Sequence, residues 1–295
     1  MGDFFTLDLL TATLRMATPL ILAAMGGLLS ERSGVVNIAL EGLMLTGAFF
    51  AVAGTYWTDS PWLGLLIGVL AAAVGGLIHA FWCVTLRANQ IVAGTAINLM
   101  AAGMTAFLIQ RIWGRAGGSD SVEKLPDVFG GVNVLIVTAL VLVPLVHYYL
   151  FRTRHGLHTM AAGESPQAAE SVGIDVTRNR YAAVIASGAL AGIGGAFLSI
   201  GNLNYFTLDM TTGRGFIALA AVIFGGWTPF GAAGAALLFG AAQAIQIQAQ
   251  ATSNFPVSSD LLVALPYLLT LIAVTGLVRR RSSGPAGLGT HASAH

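Results

Sequence analysis

The sequence predicts an all-α protein, a polytopic bundle of transmembrane helices, and three observations carry that prediction. Hydrophobic residues make up 56% of the 295-residue chain and charged residues only 9%, against roughly 25% charged in soluble domains. So few charges cannot coat a water-soluble globule, and so apolar a chain does not stay disordered in water. Glycine is abundant, 37 residues against 9 prolines, which suits helices that approach closely through small side chains. Apolar stretches of about 20 residues also run without the alternation that marks outer-membrane barrel strands.

The same length template marks nine candidate spans, at 8–29, 35–54, 62–86, 91–112, 132–151, 181–201, 208–227, 229–250 and 259–278. No basic region precedes the first and no small-residue cleavage site follows it, so it is expected to be an integral helix rather than a removable signal. Gly225-Gly226-Trp227-Thr228-Pro229 either turns two spans or breaks one, which leaves room for broken or re-entrant helices. Trp57, Trp62, Trp113 and Trp227 fall at predicted span ends, as amphipathic rings at headgroup level should. A weak internal repeat is visible where Ile38-Ala39-Leu40 with Gly47 is echoed by Ile217-Ala218-Leu219 with Gly226. Repeats of this kind place a substrate path at their interface in many transporters.

Orientation follows from the basic residues, which cytoplasmic loops retain. Arg152, Arg154, Arg178 and Arg180 flank one loop and Arg279, Arg280 and Arg281 follow the last span. Four predicted spans separate the two clusters, so both can lie in the cytoplasm, with Arg32 and Arg87. The N-terminus is then outside and the C-terminus inside. Residues 1–281 form the transmembrane domain, with 152–180 its longest cytoplasmic connection. The segment 282–295, rich in Ser, Gly, Ala and His, reads as a disordered cytoplasmic tail.

Four features carry chemical information. Asn37 and Glu41 are four residues apart in a predicted span and share one helix face. A carboxylate at mid-helix in lipid costs about 2.5–3.5 kcal/mol, so Glu41 faces protein or a watery cavity, as a helix contact or on a solute path. Asn89-Gln90-Ile91-Val92-Ala93-Gly94-Thr95-Ala96-Ile97-Asn98 opens another span with amides and a hydroxyl. These either bind an uncharged hydrogen-bonding solute or tie helices together, Asn98 included. Gln243, Gln246 and Gln250 form a polar stripe that lines either a pore or a helix contact. Within the 152–180 loop, Ser165 caps a short helix with Pro166 at its first position and Gly173 closing it. Two turns are not stable alone, so this helix docks on something or lies at the headgroups.

Other functions lack their signatures. Lys124 is the only lysine, so no phosphate loop ending in Lys-Ser or Lys-Thr exists, and zinc-protease His pairs and a Gly-x-Ser-x-Gly turn are absent. No catalytic group or metal site is expected, and no cofactor. Cys83 stands alone, which excludes disulfides and cysteine metal sites. A net charge of +1 gives no reason to expect nucleic acid. An ion-coupled secondary transporter is the competing class, but such proteins carry several buried acids, and here only Glu41 is clearly internal.

Glu31-Arg32-Ser33-Gly34-Val35-Val36-Asn37-Ile38-Ala39-Leu40-Glu41-Gly42 closely resembles the permease subunits of bacterial ATP-binding-cassette importers for simple sugars, branched-chain amino acids and nucleosides. Asn89 to Asn98, Ala162 to Val176 and Gly213 to Gly231 match the same pattern in the same order, and the Glu41 and Asn89 motifs are most like the nucleoside members. The resemblance implies an inner-membrane permease that imports a small polar solute, a nucleoside first and a simple sugar or branched-chain amino acid as alternatives. It implies an ATPase partner, a second permease, identical or distinct, and an extracytoplasmic solute-binding protein. The Ser165 helix becomes the coupling helix, with Glu164, Ser165, Pro166, Ala168, Ala169 and Gly173 meeting the ATPase. Asn37, Glu41, Asn98 and Gln246 become the candidate path lining.

Overall fold

The computed structural model describes residues 7–129, 132–251 and 284–290. The predicted span at 259–278 and Arg279, Arg280 and Arg281 lie outside them. In chain order the helices are α1 (Leu7–Arg32), α2 (Leu40–Thr58), α3 (Pro61–Ala80), α4 (Gln90–Trp113), α5 (Val134–Arg152), α6 (Arg154–Glu164), α7 (Pro166–Ser171), α8 (Val176–Ala196), α9 (Arg214–Phe224) and α10 (Pro229–Ala251). Wider π-helical turns extend α3 through Phe81–Thr85 and α8 through Phe197–Leu203. An antiparallel pair, β1 (Asp127–Phe129) and β2 (Val132–Asn133), precedes α5.

Six described helices, α1, α3, α4, α5, α8 and α10, are long and apolar enough to cross a bilayer. Two of the nine predicted spans are of a different kind. The 35–54 span becomes helical only at Leu40, after Gly34 turns the chain with φ +93°. The 208–227 span is unwound until α9, whose 11 residues reach about 16 Å, half a bilayer core. Gly225 to Thr228 does turn the chain between α9 and α10. The sequence echo has no structural counterpart at its own register, because Gly47 lies inside α2 whereas Gly226 lies in the turn after α9.

The bundle packs small side chains inward and large ones outward. Along α3, Gly64, Gly68, Ala72 and Gly76 are buried at four-residue spacing, while Leu63, Leu66, Leu70, Val74 and Leu77 are exposed. Lipid is as apolar as leucine, so backbone approach rather than hydrophobic exclusion holds such helices together. α2, α3 and α8 meet this way. A Cβ on Gly76 would come 2.8 Å from the Val184 carbonyl, and one on Gly188 2.6 Å from the Ala72 carbonyl. Gly47 of α2 faces Gly192 of α8 with no room for a side chain between them. Around this block α1 packs on α8, α9, α10 and α5, and α4 leans mainly on α2.

A run of N-caps shapes the segment between α5 and α8. Thr153 accepts from Gly156 N–H, Ser165 from Ala168 N–H and Asp175 from Arg178 N–H, starting α6, α7 and α8. Each such cap contributes about 1 kcal/mol. Residues 284–290 depart from the disordered tail expected there. Gly287 N–H donates to Gly163, Gly289 N–H to Gly34 and Ala286 N–H to Glu164, while the buried Arg180 donates to the Thr290 carbonyl. The short stretch is held because it supplies partners to backbone and guanidinium groups that would otherwise lack them.

Candidate transport site

Two interrupted helices meet inside the bundle. The first interruption is the non-helical Val35–Ala39 segment, whose backbone groups need partners at membrane depth. Neighbouring side chains provide them. Gln90 Oε1 accepts from Val36 N–H at 2.7 Å, the Val36 carbonyl faces His79 Nε2 at 3.2 Å, and Ser30 Oγ donates to the Val35 carbonyl. Asn98 brackets the start of α2, donating to the Ile38 carbonyl at 3.0 Å and accepting from Gly42 N–H at 2.7 Å. Asn37 is fully buried and donates to Ser187 Oγ at 2.8 Å, which leaves its own Oδ1 unpartnered.

The second interruption is the stretch from Asn204 to Gly213. Asn204, Asp209, Thr212 and Gly213 all take left-handed backbone conformations there, so the chain comes down from the β-hairpin side without forming a helix. Its first part is laced to the connection after α4, with Ser119 N–H on the Phe206 carbonyl and Leu208 N–H on the Gly117 carbonyl. Its inner end starts α9, and Gly213 is needed there because φ is +82°.

Glu41 joins the two. One carboxylate oxygen accepts from Gly213 N–H at 2.8 Å and the other from Gly215 N–H at 2.6 Å. A helix N-terminus carries orphan N–H groups and a partial positive charge, so a carboxylate there is favoured. Gly215 permits the contact, since a Cβ would strike the Leu40–Glu41 backbone. Arg214 is oriented by the Met210 and Thr211 carbonyls and Thr212 Oγ1. Arg214 Nε and Thr211 Oγ1 are buried without a partner. The arrangement places a carboxylate, a guanidinium, a hydroxyl and an amide near two helix starts. It has the chemistry to exchange hydrogen bonds with a polar, uncharged solute, and among the described residues no His, Cys, Asp and Glu cluster exists that suits a metal ion.

Three of the four residues expected from the sequence to line a path therefore come together. Asn37, Glu41 and Asn98 surround the start of α2, although Asn37 lies in the non-helical segment and does not share a helix face with Glu41. Gln246 is partly exposed on α10, whose main contacts are with α1, α9 and α5 rather than with α2. Sequence reasoning passed over Arg214, Ser187 and the part Gln90 plays. The available signal for Arg214 was an arginine between two glycines, at 213–215, inside an apolar stretch.

On the face carrying α6 and α7, Pro166 and Ala169 are buried while Ser165, Gln167, Ala168 and Gly173 are exposed. Val172 is 74% exposed, an isolated apolar tip. Glu164 ends α6 and lies 3.9 Å from Arg32. Arg32 in turn donates to the Trp227 carbonyl at 2.8 Å, and Trp227 Nε1 donates to Glu31. The exposed helix is thus tied to the end of α1 and to the turn between α9 and α10.

The family profile described as branched-chain amino acid transport system / permease component matches residues 9–274. The chain belongs to that permease family. This permease is 40% identical to the guanosine ABC transporter permease protein NupQ of Bacillus subtilis, over 93% of each chain. It is 37% identical to the nucleoside ABC transporter permease protein NupC of Lactococcus lactis, over 91% of this chain and 92% of the relative. Among solved structures a metal-chelate-type ABC transporter in an inward-facing conformation matches with TM-score 0.50 and 17% identity. It covers 90% of this chain and 85% of that one, a likeness of fold alone. An ABC importer permease spans the membrane, works with an ATPase and a substrate-binding partner, and is not itself an enzyme.

Proposed function

We propose that this permease admits nucleosides, and that the join of α2 and α9 lies on their path. The nucleoside assignment is supported by the two relatives above, each alike over nearly the whole chain. A nucleoside is polar, uncharged and rich in donors and acceptors. Glu41, Asn98 and the neighbouring Arg214 and Thr212 form hydrogen bonds of the kind it needs, with the carboxylate and the guanidinium close enough in the chain fold to offset one another. Buried polar atoms on Asn37, Thr211 and Arg214 that lack partners are consistent with a place where solute or water is exchanged.

The permease pairs with a second, distinct one. Bacillus subtilis also has NupP, a guanosine ABC transporter permease protein 27% identical to this chain, and Lactococcus lactis has NupB at 23%. Two unlike permeases under one solute in each organism fit a heterodimer. α7 docks on the ATPase through Ser165, Ala168 and Gly173, with Pro166 and Ala169 seating it on the permease and Glu164 linking it to α1. The α6–α7 face is cytoplasmic and the N-terminus lies outside. ATP-driven movement of α7 passes through Glu164 and Arg32 to the turn between α9 and α10, and so reaches the join at Glu41.

A sugar reading has one specific support, 33% identity to a Haloferax volcanii protein described as a glucose ABC transporter permease. Uptake of labelled guanosine and of labelled glucose into cells with and without the gene separates the two. Guanosine uptake lost with the gene and competed by other nucleosides is the expected result. Gene-dependent uptake of glucose alone overturns it.

A further inference from the structure

We infer that the cleft between α5 and α8 is a binding site for one anionic phospholipid, with its phosphate at the α6–α8 elbow and an acyl chain along the helices above. This rests on the α6–α7 face being cytoplasmic, as proposed above, but not on the identity of the transported solute.

Two hollows meet at this cleft. The one at the surface, about 460 Å³, is lined by His155 and His158 from α6, by Arg178 and Asn179 from α8, and by Asp175. The one at membrane depth, about 440 Å³, is apolar, with Leu142, Leu145 and Val146 of α5 facing Ala186 and Leu190 of α8. Tyr149 and Ala182 line both, so polar and apolar compartments adjoin. The helices leave this space because α8 presents only alanines at 182, 183, 186 and 189. From Leu142 to Tyr149 the groove runs roughly 10 Å along α5.

The polar end suits an anion. His155, His158 and Arg178 are exposed donors, and Arg152 and Arg154 lie beside them in the chain, also exposed. The one carboxylate in the lining, Asp175, is already engaged by Arg178 N–H at 2.8 Å as the cap of α8. A soluble anion would use only the surface hollow. A pocket with Arg178 and two imidazoles in its lining, flanked in the chain by Arg152 and Arg154 and adjoining an apolar groove between spanning helices, fits a molecule with a phosphate at one end and hydrocarbon at the other. Exposed Tyr148 and Tyr149 place the headgroup level at the same height. The site also touches Gly173 and Ile174, where the chain leaves α7, so the bound lipid braces the segment through which the ATPase is felt.

The test is lipid retention by the purified transporter, with its full-length permease, released from nanodiscs of mixed phosphatidylglycerol and phosphatidylcholine and weighed by native mass spectrometry. The expected result is selective retention of phosphatidylglycerol. Retention falls by about tenfold in the His155→Ala, His158→Ala, Arg178→Gln triple variant, is restored by His155→Arg with His158→Arg, and also falls in Ala186→Phe, which fills the groove and leaves the charges. Inorganic phosphate and short-chain dihexanoyl phosphatidylglycerol should compete poorly. Equal retention of the two lipids by the unaltered protein, no loss in either variant, or full competition by inorganic phosphate overturns the inference. A failure of guanosine uptake leaves this readout unaffected, so the two proposals fall separately.

Discussion

Glu41 uses both carboxylate oxygens on two backbone N–H groups of α9, and that geometry decides what substitutions do. Glu41→Leu leaves both N–H groups unpaired in the membrane interior. At roughly 1.5–3 kcal/mol for a hydrogen bond to a charged group, it should cost about 3 kcal/mol or more and abolish uptake. Glu41→Gln keeps one acceptor but turns an amide donor towards the other N–H, so an intermediate loss is expected. Denaturant unfolding in detergent and nucleoside uptake check both, and equal loss in the two variants would show that charge rather than bonding is what the site requires. The sequence made Glu41 conspicuous because a lone carboxylate in an apolar run has few explanations. It did not reveal the partner, since Gly213 is 172 residues away and contributes only backbone. Asn37 was paired with Glu41 on the assumption of a continuous helix, and the side chains that support an unwound backbone at 35–39 come from three other helices.

Among the elements, α3 and α8 were legible as uninterrupted apolar stretches, and the glycines along them explain how they meet. Gly47→Val should fail to pack, because the Gly192 backbone occupies the space a side chain would need. Overpacking typically costs about 1–3 kcal/mol, and more where backbone must move. Lowered thermal stability and reduced yield of monodisperse protein are expected, whereas Gly103→Val on α4, where nothing lies within 4 Å, should be neutral. α7 was readable from Ser165, Pro166 and Gly173, residues whose preferences are local. α6 was not foreseen, since Arg154, His155 and His158 give it the composition of a loop, and its helix depends on the Thr153 cap and on burial of Gly156, Thr159, Ala162 and Gly163. The half-length of α9 escaped notice for the opposite reason. Hydropathy adds up over Thr207 to Trp227 whether or not the first part is helical.

For the molecule as a whole, a mostly helical membrane protein and the permease family were both readable, the first from charge scarcity and the second from ordered motifs, whereas the β1–β2 pair was not. The tertiary join was not, because it is made by contacts between segments far apart in sequence. Transmission across the assembly can be tested at the exposed tip of α7. Ala168→Arg combined with Val172→Asp alters only exposed positions, so insertion and stability should remain within about 0.5 kcal/mol of the original. Solute-stimulated ATPase activity of the reconstituted complex should fall to the unstimulated level. Full stimulation would remove α7 from the route between motor and permease.

Direct backbone apposition of α2, α3 and α8 has a mechanical corollary. Where carbonyls and Cα atoms of neighbouring helices touch without intervening side chains, any sliding meets hard atoms within a fraction of an ångström, so the trio turns as one stiff keel. On the proposed transport role, a change between two open states is then expected in the elements around this trio rather than within it. α4 touches the keel mainly along α2, and α9 is tethered to it through the Glu41 carboxylate.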